Sequence, residues 1–235
     1  MTRAAAVALV AFAAACTPRA PVDRAIAARG GSIPGIVRES SVRVEQGFPG
    51  DWQWTTVASF PDRYAWSIVT NDQPHHYLFD GTTVRAFIGE TQVAEAVGAA
   101  GLATHARFVA VANLDMLRQP GVTITMTPSA GGTQLDVTFA DTGARYRVQL
   151  DAHDAVRRVE GPIDLSPVAK GTLVATYDDD RTIDGRRLPF HIRYELDGAA
   201  LADERVVRTC ILGTTPAASA FAAPTSLPRC ELRSP

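Results

Sequence analysis

Apolar and polar residues alternate with a period of two over most of the chain, most plainly from Lys170 to Leu196. Leu173, Ala175 and Tyr177 alternate with Thr172, Val174 and Thr176, and Phe190, Ile192, Tyr194 and Leu196 alternate with His191, Arg193 and Glu195. Successive side chains of a strand point to opposite faces, so these arms are two strands, the second with one apolar and one charged face. Asp184-Gly185 lies in the reversal between them, and Pro189, which lacks an N–H, belongs at a strand start or an edge. Upstream, Val42 and Val44 alternate with Arg43 and Glu45 in a strand from Ile36, and Trp52 and Trp54 open the next after the Phe48-Pro49-Gly50-Asp51 turn. Tyr64, Trp66 and Ile68 share a face, as do Tyr77 and Phe79, and Val84, Ala86 and Ile88 continue the pattern.

The period then changes. From Thr91 to about Leu117 the apolar residues Val93, Ala94, Val97, Phe108, Val111, Ala112 and Met116 recur at three and four, as on one stripe of a helix. Gly98 and Gly101 predict two helices or one with a break, and Pro120-Gly121 stops it. A shorter helix capped by Asp23 runs through Ile26 to Arg29 and ends at Gly30-Gly31. After the insert, Val122, Ile124 and Met126, then Leu135, Val137 and Phe139, then Tyr146, Val148 and Leu150 mark three strands. Val156 to Val159 predicts a short strand, Gly161 to Pro167 a loop, Val206 to Leu212 a last strand, and Thr214 to Pro235 an irregular tail. The pattern is mainly β (α+β), about ten to eleven strands in two antiparallel runs around a helical insert. A sheet with one polar face must lay the other on something apolar. One helical layer cannot both fill and cover a closed small barrel. The predicted architecture is therefore an unclosed antiparallel half-barrel with a helical lid over its concave face.

Composition narrows this to one domain, residues 23–235, because 235 residues with 46% hydrophobic content suit one sizeable core. A formal charge of −2 offers no basic field for nucleic acid. The N-terminus is more specific. Arg3 precedes an uncharged apolar run from Ala4 to Ala15, and Ala13-Ala14-Ala15 places small residues before Cys16. A run this short is an export signal and not a span, which takes about 20 residues. It resembles the lipobox of bacterial lipoproteins, which implies a signal peptide at 1–15, an acylated Cys16 and a lipidated tether at 16–22. The alternative is an ordinary signal peptide cut near Ala15. In the enterobacterial sorting rule an aspartate after the cysteine favours inner-membrane retention; Thr17 stands there instead, which favours the outer membrane, facing the periplasm. Cys210 and Cys230 remain as an even pair in an oxidising compartment, either a disulfide or two buried thiols. As a disulfide they close a loop of about 20 residues, worth about 3 kcal/mol in the chain-entropy account.

No catalytic residue, metal or cofactor is expected. His75 and His76 are adjacent and point to opposite faces of a strand, so they cannot clamp one ion and read as solvated turn residues. Asp178-Asp179-Asp180 lacks the spaced ligands and closing glutamate of an EF-hand loop and reads as a polar turn. G-x-S-x-G, H-E-x-x-H, G-x-G-x-x-G and Walker motifs are absent from the sequence. What stands out is a set of large apolar side chains on strand positions: Trp52, Trp54, Tyr64, Trp66, Tyr77, Phe79, Met126, Phe139, Tyr146, Tyr177, Phe190, Ile192 and Tyr194. Such residues line a ligand cavity or fill a core equally well.

Several local runs resemble the outer-membrane lipoprotein-sorting fold, shared by the periplasmic lipoprotein carrier and its outer-membrane receptor. They are Ala25-Ile26-Ala27-Ala28-Arg29-Gly30-Gly31, Phe60-Pro61-Asp62-Arg63-Tyr64, Tyr77-Leu78-Phe79-Asp80-Gly81, the mid-chain helix, the D-x-R-x-x-D-G-x-x-L-P run ending at Pro189, and Phe221-Ala222-Ala223-Pro224. The resemblance covers Ala25 to Pro224; Arg85 departs from it, standing where the family often has a tryptophan. It implies an unclosed half-barrel, an apolar cavity under a helical lid, and a monomer that binds acyl chains, lipid or lipoprotein cargo without a catalytic site. The alternative is a structural or interaction lipoprotein with a filled core and an envelope protein as partner.

Overall fold

The computed structural model describes residues 20–70, 73–94, 99–166 and 169–230. The signal peptide at 1–15, Cys16 and the first part of the tether lie outside the described residues. Among those described, thirteen strands form one antiparallel sheet. The first six are β1 (Gly35–Val44), β2 (Gly50–Ser59), β3 (Arg63–Thr70), β4 (Gln73–Phe79), β5 (Val84–Ile88) and β6 (Thr91–Val93). After helix α2 (Ala99–Ala112) come β7 (Val122–Ser129), β8 (Gly132–Phe139), β9 (Arg145–Asp151), β10 (Val156–Ser166), β11 (Ala169–Ile183), β12 (Arg186–Leu196) and β13 (Ala199–Ile211). Helix α1 (Ala20–Ala28) precedes them.

The order in the sheet is β6-β5-β4-β3-β2-β1-β13-β12-β11-β10-β9-β8-β7. The chain meanders outward from β1 to one free edge, then restarts at the other edge and meanders back until β13 pairs with β1. All neighbours but β1 and β13 are therefore consecutive hairpins. The sheet does not close, since β6 and β7 do not pair. The link from edge to edge contains α2, which crosses the concave face and packs on β10 and, more lightly, on β2, β4 and β9. Its Leu102, Ala106 and Ala110 pack with Phe60, Tyr64, Phe79 and Phe190, while Phe108 and Val111 pack with Tyr146, Val159 and Ile163.

The alternation fixes the faces as expected, but several boundaries differ. The helical stretch does not begin at Thr91: residues 91–93 pair with Ala86–Ile88 as β6, a match that the three-and-four spacing of later residues conceals. The helix ends at Ala112, and Leu114 takes φ 66 before a 3-10 turn at Asp115–Arg118. Residues 161–166 are strand and not loop, because β11 continues alongside through Gly161↔Leu173, Pro162↔Thr172 and Ile163↔Gly171. Beyond Glu160, β9 no longer pairs, so Pro162 sits where a missing N–H is tolerated. Residues 20–22, expected as extended tether, are the first turn of α1, with Pro21 and Val22 buried. Asp23 lies inside α1 and pairs with Arg118 at 2.7 Å rather than capping the helix. His75 and His76 lie in β4 and not in a turn; the Ser67 hydroxyl is 2.7 Å from His76 Nδ1. The three aspartates are strand residues paired to cations: Asp178 to Arg193, Asp179 to Arg181, Asp180 to Arg157 and Arg187.

The tail packs on the convex face. Phe221 is fully buried against Val37, Val57, Ala65, Leu78 and Phe87, and Cys230 is bonded to Cys210 of β13. On the other side, α1 is docked at its end. Asp184-Gly185 forms a two-residue turn with φ 47 and 74, the pattern that matches strand twist. Gly30, at φ 101, lies against that turn; a Cβ there would overlap the Gly185 carbonyl oxygen. Arg187 N donates to Arg29 O at 2.7 Å beside it. Gly30→Ala is thus expected to cost about 2–4 kcal/mol in denaturant unfolding, from the left-handed backbone plus overpacking. Gly198→Ala, at φ 83 with open space around it, is expected to cost only about 1 kcal/mol. Equal losses at the two positions would contradict the docking of α1 on the hairpin.

Candidate functional site

The cavity lies between the two helices and the middle of the sheet, where β1, β11, β12 and β13 meet. Its volume is about 110 Å³. Ala25 and Ala28 of α1 and Phe108, Val109 and Ala112 of α2 form the roof; Ile36, Phe60, Leu173 and Leu188 form apolar walls. Arg29, Asp154, Asp180 and Arg187 stand where the lining is charged. Arg38, His105, Tyr177, Tyr194 and Thr209 complete the lining with polar atoms.

Arg38 projects from β1 on the same face as Ile36, Val42 and Val44, and Glu204 from β13 on the face of Ala202 and Val206. Arg38 Nε lies 3.0 Å from Glu204 Oε1, with 12% of the arginine side chain and 1% of the glutamate exposed. Ser40 donates to Glu204 Oε1 at 2.7 Å and the Tyr194 hydroxyl donates to Oε2 at 2.6 Å. Burial works against the Arg38 charge, yet the Glu204 carboxylate outweighs it and holds the guanidinium above its ordinary value. Burial also raises the Tyr177 and Tyr194 phenols, so both stay protonated donors. From α2, the His105 ring stacks on Trp66 with centroids 5.5 Å apart and lies 5.1 Å from Tyr64. Burial, reinforced by the Arg38 charge, lowers its pKa to about 4.

The lid is tied at its C-terminal end. Arg29 of α1 donates to Asp115 Oδ2 at 2.8 Å and to Asn113 Oδ1 at 2.9 Å, and Ile33 N donates to the same Asp115 oxygen. Arg107, near the middle of α2, pairs with Asp141 at 2.7 Å and lies over the Phe139 ring. Among the described residues, no helix is long and apolar enough to cross a membrane, and no group of three His, Cys, Asp or Glu is placed to hold a metal.

All thirteen large residues singled out from the sequence fall on the concave face by strand register. Only Tyr177 and Tyr194 line the cavity. Tyr64, Trp66, Tyr77, Phe79 and Phe190 pack beneath α2 with the β1–β5 half, and Met126, Phe139, Tyr146 and Ile192 with the β7–β12 half. Trp52 and Trp54 form a third group with Val42, Val44 and Ala202. Alternation assigns a face but not which stretch of it the helices fill. Ile36, Arg38, Phe60, His105, Phe108, Val109, Ala112 and Thr209 are among the lining residues that the large-residue pattern did not mark. One signal was available for two of the polar groups: Arg38 and Glu204 stand at inward positions of apolar-alternating strands.

The overall fold is shared with solved structures. A LolA-superfamily protein of Nitrosomonas europaea superposes with TM-score 0.58 at 12% identity, covering 88% of this chain and 98% of that one. An outer membrane lipoprotein-sorting protein domain of Vibrio parahaemolyticus gives TM-score 0.52 at 8% identity, covering 88% and 97%. The chain has the lipoprotein-sorting fold. A DUF1329-family protein of Desulfovibrio piger shares that fold too, with TM-score 0.54, 12% identity and coverage of 86% and 96%. No protein-family model and no curated protein matches the sequence.

The buried imidazole makes the lipoprotein-sorting fold of this chain sensitive to acid. His105 has a pKa near 4 in the fold against an ordinary 6.5 when unfolded. The unfolded chain therefore binds the extra proton within that window, and stability falls as pH drops through it, by at most about 1.4 kcal/mol per unit. His105→Phe, which keeps a ring against Trp66, is expected to flatten that part of the slope between pH 6.5 and 4.5 in urea unfolding. Parallel curves for parent and variant would show that the ring is not held neutral.

Proposed function

We propose that this protein is a cell-envelope lipoprotein, anchored through acylated Cys16, whose single domain shields acyl chains of lipid or lipoprotein cargo between α2 and the concave sheet. The observation that carries the reading is the partly open apolar cavity, walled by Ile36, Phe60, Phe108, Leu173 and Leu188, under a helix crossing an open sheet. Removing apolar surface from water is the driving force: burying a 16-carbon chain is worth about 12 kcal/mol before ordering costs, at about 0.8 per CH₂. The cavity of about 110 Å³ is below the roughly 300–1,000 Å³ of ligand pockets. Long cargo therefore requires α2 to move outward, and the sheet beneath it supplies further apolar surface when it does. The same small volume favours a second reading, an interaction lipoprotein with a filled core that works through its surface.

The fold is the lipoprotein-sorting fold, and the LolA-superfamily and lipoprotein-sorting structures support transfer at the envelope as the setting. Residues 1–15 act as the signal peptide, Thr17 after the lipidated cysteine directs the protein to the outer membrane, and the domain works as a periplasm-facing monomer without chemical catalysis.

Two experiments test this. The purified full chain is expected to take up a fluorescent fatty acyl probe and to carry lipid detectable by mass spectrometry after solvent extraction. Ala112→Phe, which places a ring into the roof, should weaken uptake at least tenfold while the fold persists. No lipid, no uptake, and no effect of the substitution would leave the filled-core reading. For the anchor, Cys16→Ser is expected to shift the protein from the membrane to the soluble fraction; unchanged fractionation rules out the lipid.

A further inference from the structure

The polar part of the cavity is richer in donors than acceptors. Glu204 already accepts from Ser40 and Tyr194 and faces Arg38 Nε, while a guanidinium carries five N–H groups. Thr209 Oγ1 and His105 Nδ1 line the same space or border it, enclosed and without a hydrogen-bond partner among the described residues. Thr209 is 8% exposed. A buried polar atom left unpaired is destabilising, and two in one cavity beside a buried cation call for an explanation. An occupant that brings an acceptor supplies one. Charge limits what it is: Arg38 and Glu204 already balance, and a carboxylate would add an uncompensated buried negative charge beside Glu204.

We infer that the cavity selects acyl groups by a neutral carbonyl, as in an ester or amide, that accepts hydrogen bonds from Arg38, from the Thr209 hydroxyl and from His105 in its Nδ1–H tautomer, with the hydrocarbon lying along Ile36, Phe108 and Leu173. This rests on the acyl-binding reading above and names the chemical class of its ligand. It distinguishes acyl esters and N-acyl amides from both free fatty acids and bare hydrocarbon.

Displacement of the neutral fluorophore N-phenyl-1-naphthylamine from the full chain by four matched 12-carbon ligands tests it. Methyl laurate or N-methyl lauramide is expected to compete at concentrations at least tenfold below those of dodecane or laurate, and the better of the two identifies a glycerolipid-type or a lipoprotein-type source. Thr209→Val removes a hydroxyl that has no partner, so the fold should be no less stable. The variant should lose threefold to tenfold of the carbonyl preference, the worth of about one hydrogen bond, with dodecane unchanged. His105→Phe should act in the same direction. If laurate competes best, if all four compete equally, or if Thr209→Val only raises stability and leaves selectivity intact, the inference is wrong while acyl binding stands. If none displaces the fluorophore, acyl binding itself fails and this inference with it.

Discussion

The ion pair between Arg38 and Glu204 stands at the one place where the chain's first and last strands must recognise each other. Every other strand contact is a hairpin between consecutive strands, whereas β1 and β13 are brought together from opposite ends of the strand sequence. Burying two charges there is expensive, and the pair is tolerated because each carboxylate oxygen also takes a hydrogen bond, from Ser40 on β1 and Tyr194 on β12. Three strands are thereby fixed in register by one carboxylate. A slip of β1 by one residue would turn Arg38 to the convex face and bring Val37 inward, leaving Glu204 buried without its cation, so the pair opposes that register.

The lid follows from the same topology. One meander runs out from the seam to one edge and the second starts at the other edge and runs back, so the chain must pass from β6 to β7 across the curve. A helix is the economical way to make that crossing, because it satisfies its own backbone while presenting apolar side chains to the sheet. The arrangement separates two kinds of stability. Sheet strands are bonded to neighbours throughout, whereas α2 is held by side-chain packing and by a few charged contacts around Arg29, Asp115, Arg107 and Asp141. Helix displacement would break no strand pairing.

The strands and their faces were legible in the sequence because a period of two survives in Leu173 to Tyr177 and Phe190 to Leu196 regardless of context. The Asp184-Gly185 reversal and the Cys210–Cys230 link were legible for equally local reasons, turn chemistry and cysteine parity. Thr91 to Val93 was not, since three residues carry no period and their strand character comes from Ala86 to Ile88 across the Gly89 turn. Cavity lining was the least legible. Phe79 and Tyr177 have the same pattern, strand type and face, yet one packs under α2 and the other borders open space. What separates them is the helix path, a long-range property. The charged exceptions carried more information than the aromatic rule: an arginine and a glutamate on inward positions had to meet a partner.

The two faces of the sheet are treated differently, and the difference bears on function. On the convex side, Phe221 and the Cys210–Cys230 link fasten the tail over Val37, Val57 and Leu78, closing that apolar surface with the chain's own residues. On the concave side, the cover is a helix whose packing leaves a gap at the seam, beside the buried Arg38–Glu204 pair. A core selected only for stability would fill that gap with apolar side chains and pair or remove Thr209 and His105. Space and unpaired polar atoms therefore lie together at the seam, under a helix held by side-chain packing and over strands bonded to one another. A ligand held there would read a fixed set of donors while the lid accommodates its length.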